Sequence, residues 1–270
     1  MVVDSNMLQS TALREFLAAR STHIAVVPDF AWFEAYKQQS IDALVAFLSV
    51  IGDFPDQLAI LKSGSEIARL TLAEPIRLED FERADSHLFS QMVEIIRGPG
   101  LADPDVQTQL RKLWTSAGTT LSGMHEGAID ILTSLPEMAE QMFSQNELRI
   151  IRTNGRYSDR MFASIFGAAE QLWETFAEEY GLPWRTVTWE RAQNAYLFRL
   201  AVALVIYLLW WIRNGSPKIA RTDRVRNDVI DLNFAVYGTY FDGLLSDDKK
   251  ARWIFDNMIP ALQASRAGFG

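Results

Sequence analysis

The chain opens with short apolar runs separated by helical patterns. His23-Ile24-Ala25-Val26-Val27 is rich in β-branched residues and is stopped by Pro28, so it reads as a buried strand. From Phe30 to about Val50 the apolar residues fall at helical spacing, with Phe33, Ile41, Leu44, Val45 and Leu48 on the stripe. Gly52 and Pro55 end it. Leu58-Ala59-Ile60-Leu61 is a second short run, and Ser63-Gly64-Ser65-Glu66 then caps a helix that continues through Ile67 and Leu70. Strand, helix, strand, helix with short links is the pattern of a parallel sheet.

After residue 77 the pattern becomes helical. An amphipathic helix is expected over 78–97, ended by Gly98-Pro99-Gly100, and more helices over about 104–117, 123–132, 136–152, 159–180 and 189–213. No strand candidate of any strength stands between 78 and 213. The α/β pattern returns with a helix over 221–237, a strand over 241–246 around Leu244-Leu245, and a last helix over 249–262. The expected organisation is one α/β domain made from 1–77 and 216–270, with a helical insertion subdomain over 78–215.

Residues 200–212 are thirteen uninterrupted apolar residues between Arg199 and Arg213. A membrane span needs about 20, and extending this run backward places Arg199 inside it. A buried central helix or a dimer seam is the preferred reading, without a membrane.

Composition narrows the chemistry. Forty-nine per cent of the 270 residues are apolar, and none is cysteine. The lack of cysteine excludes disulfides, thiolate metal sites and a cysteine nucleophile, and suits a reducing cytoplasm. The first twenty residues mix charged and apolar side chains and do not read as a signal peptide. A net charge of −8 is unlike a generic nucleic-acid binder. The charge is uneven, however: from Ser216 onward 8 Lys/Arg face 7 Asp/Glu, against 18 and 27 in the rest.

The most informative residues are acids at strand ends. Asp29 directly follows what reads as the first strand, and Asp247 and Asp248 follow the last. Asp228 and Asp231 lie three apart on the helix before it and share a face. Glu66 opens the helix after the second strand. In a parallel sheet the carboxyl ends of the strands face the ligand crevice, so these carboxylates would converge there. Such a set needs a cation, and oxygen ligands suit Mg²⁺ or Mn²⁺. Helix capping is the plain alternative for any one of these Asp residues.

Ala25-Val26-Val27-Pro28-Asp29 resembles the opening strand of PIN-domain nucleases. Asn227-Asp228-Val229-Ile230-Asp231-Leu232 and Tyr240-Phe241-Asp242-Gly243-Leu244-Leu245-Ser246-Asp247-Asp248-Lys249 resemble their closing helix, strand and acidic turn. The resemblance covers about 130 residues at the two ends of the chain. It implies a PIN-like three-layer α/β fold with a small parallel sheet, here joined to a large all-helical insertion. It also implies metal-dependent hydrolysis of phosphodiester bonds in single-stranded RNA, less often DNA. Carried over, the metal ligands would be Asp29, Glu66, Asp228 or Asp231, and Asp248 with Asp247 beside it. Asp29, Asp228, Asp231 and Asp248 would be the catalytic set. The family often has Thr-Asn after its first Asp, where Phe30-Ala31 follows Asp29 here. Many relatives are toxins held by an antitoxin, so an antitoxin or regulatory protein is an expected kind of partner, beside a homo-oligomer.

A basic segment supplies a candidate nucleic-acid surface. Arg213, Lys218, Arg221, Arg224 and Arg226 crowd into fourteen residues leading to Asp228, and binding through them would weaken with salt. A solvated charged loop is the equal alternative. Arg149, Arg152, Arg156 and Arg160 form a second, looser run. Trp32 and Tyr36 share a helical face near Asp29, as core residues or as a platform for a base. His23, His87 and His125 show no metal spacing. The competing reading of the whole chain is a catalytically inactive PIN-like interaction protein acting through its helical subdomain.

Overall fold

The structure is a computed structural model that describes residues 1–70, 77–182, 185, 187–217 and 222–266; the side chains of 122–132, 189–190, 222–226 and 266 fall outside that description. Its sheet is small because its strands are short. They are β1 (Val2–Val3), β2 (Ala25–Val27), β3 (Leu58–Ile60) and β4 (Leu244–Leu245), all parallel, in the order β3-β2-β1-β4. Val26 pairs with Ala59 on one side and Val2 on the other, and Val2 and Val3 pair with Leu244 and Leu245. β1, β2 and β3 are buried throughout, as apolar strands covered on both faces must be.

The first strand is therefore Val2–Val3, not 25–27. Two residues are too few to give a periodicity, yet their pairing to both neighbours puts them at the centre of the sheet. Val2 N–H donates to Gly243 O and Asp4 N–H to Leu245 O, each at 2.9 Å, which ties the two ends of the chain together. Gly243 has φ +124°, a turn that a side chain would strain.

The helices in chain order are α1 (Thr11–Ala19), α2 (Asp29–Tyr36), α3 (Ile41–Phe47), α4 (Gly64–Leu70), α5 (Leu78–Phe81), α6 (Phe89–Arg97) and α7 (Pro104–Thr133). Then follow α8 (Leu135–Met142), α9 (Gln145–Arg152), α10 (Asp159–Glu179), α11 (Trp189–Asn194), α12 (Tyr196–Arg213), α13 (Thr222–Gly238) and α14 (Lys249–Arg266). Several expected helices are divided differently. The 78–97 stretch breaks because Lys62 N–H donates to Phe81 O and Arg83 N–H to Ile60 O, which docks residues 81–83 beside β3. The 30–50 stretch breaks at Gln39, whose φ is +48°, and Ser40 caps the helix that follows. The expected gap at 118–122 is absent: α7 runs through it, since packing outweighs the low helix propensity of Gly118.

α12 fills the centre. It packs against α9, α10, α13 and α14, while α7 packs against α2 and α13. α12 has the length and apolarity of a membrane span, properties it shares with core helices, and 83% of it is buried in the fold. Arg199, inside α12 and 4% exposed, donates to Gln193 O, Thr239 O and Thr239 Oγ1 and lies 3.7 Å from the Tyr240 ring centroid. Its charge is thus met by protein groups. Sheet residues such as Val3 and α12 residues such as Leu208 belong to one continuous apolar core.

Candidate functional site

Because all four strands are parallel, their carboxyl ends lie on one edge, and the residue leaving each strand opens there. Asp4 leaves β1. It is 3% exposed; Oδ2 accepts from Ser246 Oγ at 2.5 Å and Oδ1 from Ser5 Oγ at 3.3 Å. Burial pushes the Asp4 carboxyl above the usual carboxylate range. Ser246 leaves β4, and its Oγ also accepts from Asp248 N–H at 3.0 Å. The single Ser5 hydroxyl proton has a second and nearer acceptor in Glu34 Oε2 on α2, so it serves Asp4 or Glu34 but not both, and Glu34 lies close enough to push the Asp4 carboxyl further up.

Asp248 caps α14: its Oδ1 accepts from Lys250 N–H at 2.7 Å and Ala251 N–H at 2.8 Å. This turn sends the Lys250 side chain back toward α13. Lys250 Nζ lies 2.9 Å from Asp231 Oδ2 and contacts Asp228 Oδ1, while Asp228 Oδ2 accepts from Tyr207 OH at 2.6 Å. Burial raises Asp231 to about 7 against the pull of Lys250, with Asp248 and Asp4 adding to the rise. Burial acts to lower the Lys250 pKa, but the charges of Asp231 and Asp228 outweigh it and hold the ammonium above its ordinary value. Asp228, Asp231, Asp248 and Asp4 thus surround one edge, with Lys250 as the cation in place among them.

The other sequence candidates lie elsewhere. Asp29, leaving β2, accepts from Phe30 N–H at its Oδ1 and from Gly64 N–H at its Oδ2, both at 2.9 Å, so it joins α2 to the start of α4. Burial raises its pKa to about 6. Glu66 is exposed and caps its own helix, accepting from Ser63 N–H at 3.0 Å and Ser63 Oγ at 2.5 Å, bonds that lower its pKa. Asp247 is exposed. Among the described residues, no three carboxylate or imidazole groups stand close enough to hold one metal ion as placed. The donor set is of the right kind for a hard cation, carboxylate and hydroxyl oxygens, but the place between Asp228 and Asp231 is taken by an ammonium.

Of the basic segment, Arg213 donates to Asn154 Oδ1 at 3.0 Å and lies 5.8 Å from the Trp253 ring centroid. Lys218 and Arg221, and the side chains of Arg224 and Arg226, lie outside the described residues. In the second run, Arg160 pairs with Glu147.

Asp4 and Glu34 were not anticipated from the sequence. Asp4 carries a signal that could have found it, an acid directly after Val2-Val3 and followed by Ser5-Asn6. Glu34 carries none, because its role depends on Ser5 being brought to α2.

No family model matches this chain, and neither a curated protein nor a solved structure does.

Proposed function

We propose that the chain is a Mg²⁺- or Mn²⁺-dependent nuclease of the PIN-like kind, acting on single-stranded RNA, with residues 78–215 as a helical insertion in a three-layer fold. The observation that carries this reading is the gathering of Asp4, Asp228, Asp231 and Asp248 at the carboxyl edge of β1 and β4. Asp4-Ser5-Asn6 also suits the family's Asp-Thr-Asn better than Asp29-Phe30-Ala31, which moves the leading acid from Asp29 to Asp4. In this reading Asp4, Asp231 and Asp248 hold the ion and Asp29 and Glu66 are structural.

A bound divalent ion would supply a water of lowered pKa and stabilise charge on the scissile phosphate. The chain's own groups set the conditions for it. Ser246 fixes the Asp4 carboxylate, the start of α14 fixes Asp248, and Tyr207 fixes Asp228. Lys250, now on Asp231 and Asp228, would have to release Asp231 for that carboxylate to hold an ion.

The test is cleavage of a fluorescently labelled single-stranded RNA with Mn²⁺, comparing wild type with Asp4→Asn and Asp231→Asn. The reading expects cutting by wild type and a loss of at least about a hundredfold in each variant, the scale on which single site groups usually act. Cutting that survives both substitutions defeats it. A second reading is favoured by Lys250 itself. An acidic edge already neutralised by an internal ammonium is what a PIN-like interaction protein without activity would keep. On that reading wild type binds no Mn²⁺ and the helical part carries the function.

A further inference from the structure

Tyr207, Trp210 and Arg213 follow one another at three-residue steps on α12, so each lies beside the next along about 9 Å of the helix axis. Lys250 and Trp253 are spaced the same way on α14, which packs against α12. The two rows meet. Lys250 Nζ lies 6.0 Å from the Trp210 ring centroid, and Arg213 Cζ lies 5.8 Å from that of Trp253. The Trp210 ring stacks on that of Tyr207, 6.1 Å away and inclined by 16°, and Tyr207 OH donates to Asp228. This surface therefore starts at the acidic edge. It ends where Arg213 Nη1 donates to Asn154 Oδ1 at 3.0 Å, in the turn between α9 and α10.

The cations at that end have no carboxylate to neutralise them. The turn 152–157 carries Arg152 and Arg156 and no acid. Both are exposed, as is Arg213, and none of the three forms an ion pair among the described residues. Glu147, the acid on the neighbouring helix, is taken by Arg160. Asn154 turns the chain there with φ +54°, a conformation that Asn tolerates better than most residues. Arg213 pulls the Tyr157 hydroxyl down against the rise that burial gives it, which sets this turn beside the guanidinium. Trp210 and Trp253 are half-buried against the core, which holds their rings while leaving part of each exposed. The acids that follow in sequence are Asp159 at the start of α10 and Asp256 beyond Trp253. Unpaired guanidinium groups suit phosphates, and partly exposed rings among them suit bases. An acidic peptide would match the charge and leave the rings unused.

We infer that the α12–α14 surface is the track of a single-stranded RNA, with phosphates on Arg152, Arg156 and Arg213 and bases on Trp253 and Trp210, leading the strand to Asp228 and Asp231. The choice of RNA among anionic chains rests on the nuclease reading of that edge. The binding itself needs no metal. The track gives the helical part a definite task, because α9, α12 and the turn after α9 supply its cations and one of its rings. Stacking of this kind is tolerant of sequence, since every base has a flat face.

The experiment is fluorescence anisotropy of a labelled single-stranded RNA dodecamer titrated with the full chain in EDTA, repeated at several salt concentrations. Wild type is expected to bind saturably. Arg152→Gln/Arg156→Gln/Arg213→Gln should weaken binding at least about tenfold and make the logarithmic salt slope shallower by about 2, since each phosphate contact contributes about 0.7. Arg20→Gln/Arg111→Gln/Lys112→Gln makes the same charge change at exposed positions at the end of α1 and on α7, and should weaken binding less than about twofold because exposed charges far from the strand are screened. Trp253→Leu should weaken binding about fivefold or more and leave the salt slope unchanged, because stacking releases no counterion. No saturable binding by wild type, or equal weakening in the two triple variants, overturns the inference. Poly-glutamate binding as tightly as the RNA also overturns it and assigns the surface to an acidic protein. Because metal is absent throughout, a failure of metal binding or of cleavage leaves these results unchanged, and cleavage by a wild type whose binding ignores the three arginines removes this track alone.

Discussion

Lys250 Nζ lies 2.9 Å from Asp231 Oδ2 and touches Asp228 Oδ1, so one ammonium balances two carboxylates that Asp4 and Asp248 would otherwise crowd. The side chain of Lys250 is 12% exposed and that of Asp231 17%. Removing one member of a fully buried pair costs about 3–5 kcal/mol, because the other is left charged without a partner. Lys250→Met should therefore cost about 2–4 kcal/mol in urea unfolding, the residual exposure softening the loss. Adding Asp231→Asn should recover part of it, with a coupling of about 1–3 kcal/mol in the double-mutant cycle. Strictly additive losses would mean that the pair is not energetically joined.

Asp29 makes stability depend on pH in a definite direction. Its folded pKa of about 6 stands above the ordinary 3.8, so between those values the folded chain holds the proton and the unfolded chain does not. Stability contributed by that proton is full below about pH 4 and is lost as pH rises toward 6, by at most about 3 kcal/mol. Asp29→Asn should flatten this part of the curve. Unfolding followed at pH 4, 5, 6 and 7 for both proteins checks it, and parallel curves would refute the assignment.

α12 is expected to behave as core. Leu208 is fully buried, and Leu208→Ala should cost about 2–5 kcal/mol through lost burial and the cavity left behind. Thermal or urea unfolding of the purified chain in detergent-free buffer measures this directly. A change under about 1 kcal/mol would place Leu208 on an interface rather than in the core.

α9 starts at a capping box: Ser144 Oγ accepts from Glu147 N–H at 3.4 Å, and Glu147 Oε2 accepts from Ser144 N–H at 2.8 Å. Ser144→Ala should cost about 1 kcal/mol. Glu147 also pairs with Arg160 on α10, so Arg160→Ala tests the same carboxylate from the other side. The two losses should not add, since one carboxylate serves both.

What could be read from the sequence follows from how much local pattern each element carries. The strand β2 could be seen because Ala25-Val26-Val27 ends at Pro28, and β4 because Leu244-Leu245 stands between Gly243 and an acidic turn. β1 is two residues long and sits at the centre of the sheet only through Val26 and Leu244, which are distant in sequence. Without β1 the run ending at Val27 reads as the first strand and Asp29 as its acid, yet both Asp29 oxygens are occupied by backbone N–H groups in the structure. Asp228, Asp231 and Asp248 were legible as acids on a shared face and at a strand end. The ammonium that joins the first two was not, because the turn at Asp248 that sends Lys250 back to α13 is a matter of helix geometry rather than residue type.

The central claim is that the edge formed by Asp4, Asp231 and Asp248 takes a divalent cation in exchange for the Lys250 contact. Titration of Mn²⁺ by calorimetry into wild type, Lys250→Gln and the Asp4→Asn/Asp231→Asn double variant tests it most directly. The account predicts saturable binding in wild type, at least about threefold tighter binding in Lys250→Gln once the competing charge is gone, and none in the double variant. Weak binding of equal strength in all three would contradict it and leave the interaction-protein reading in its place.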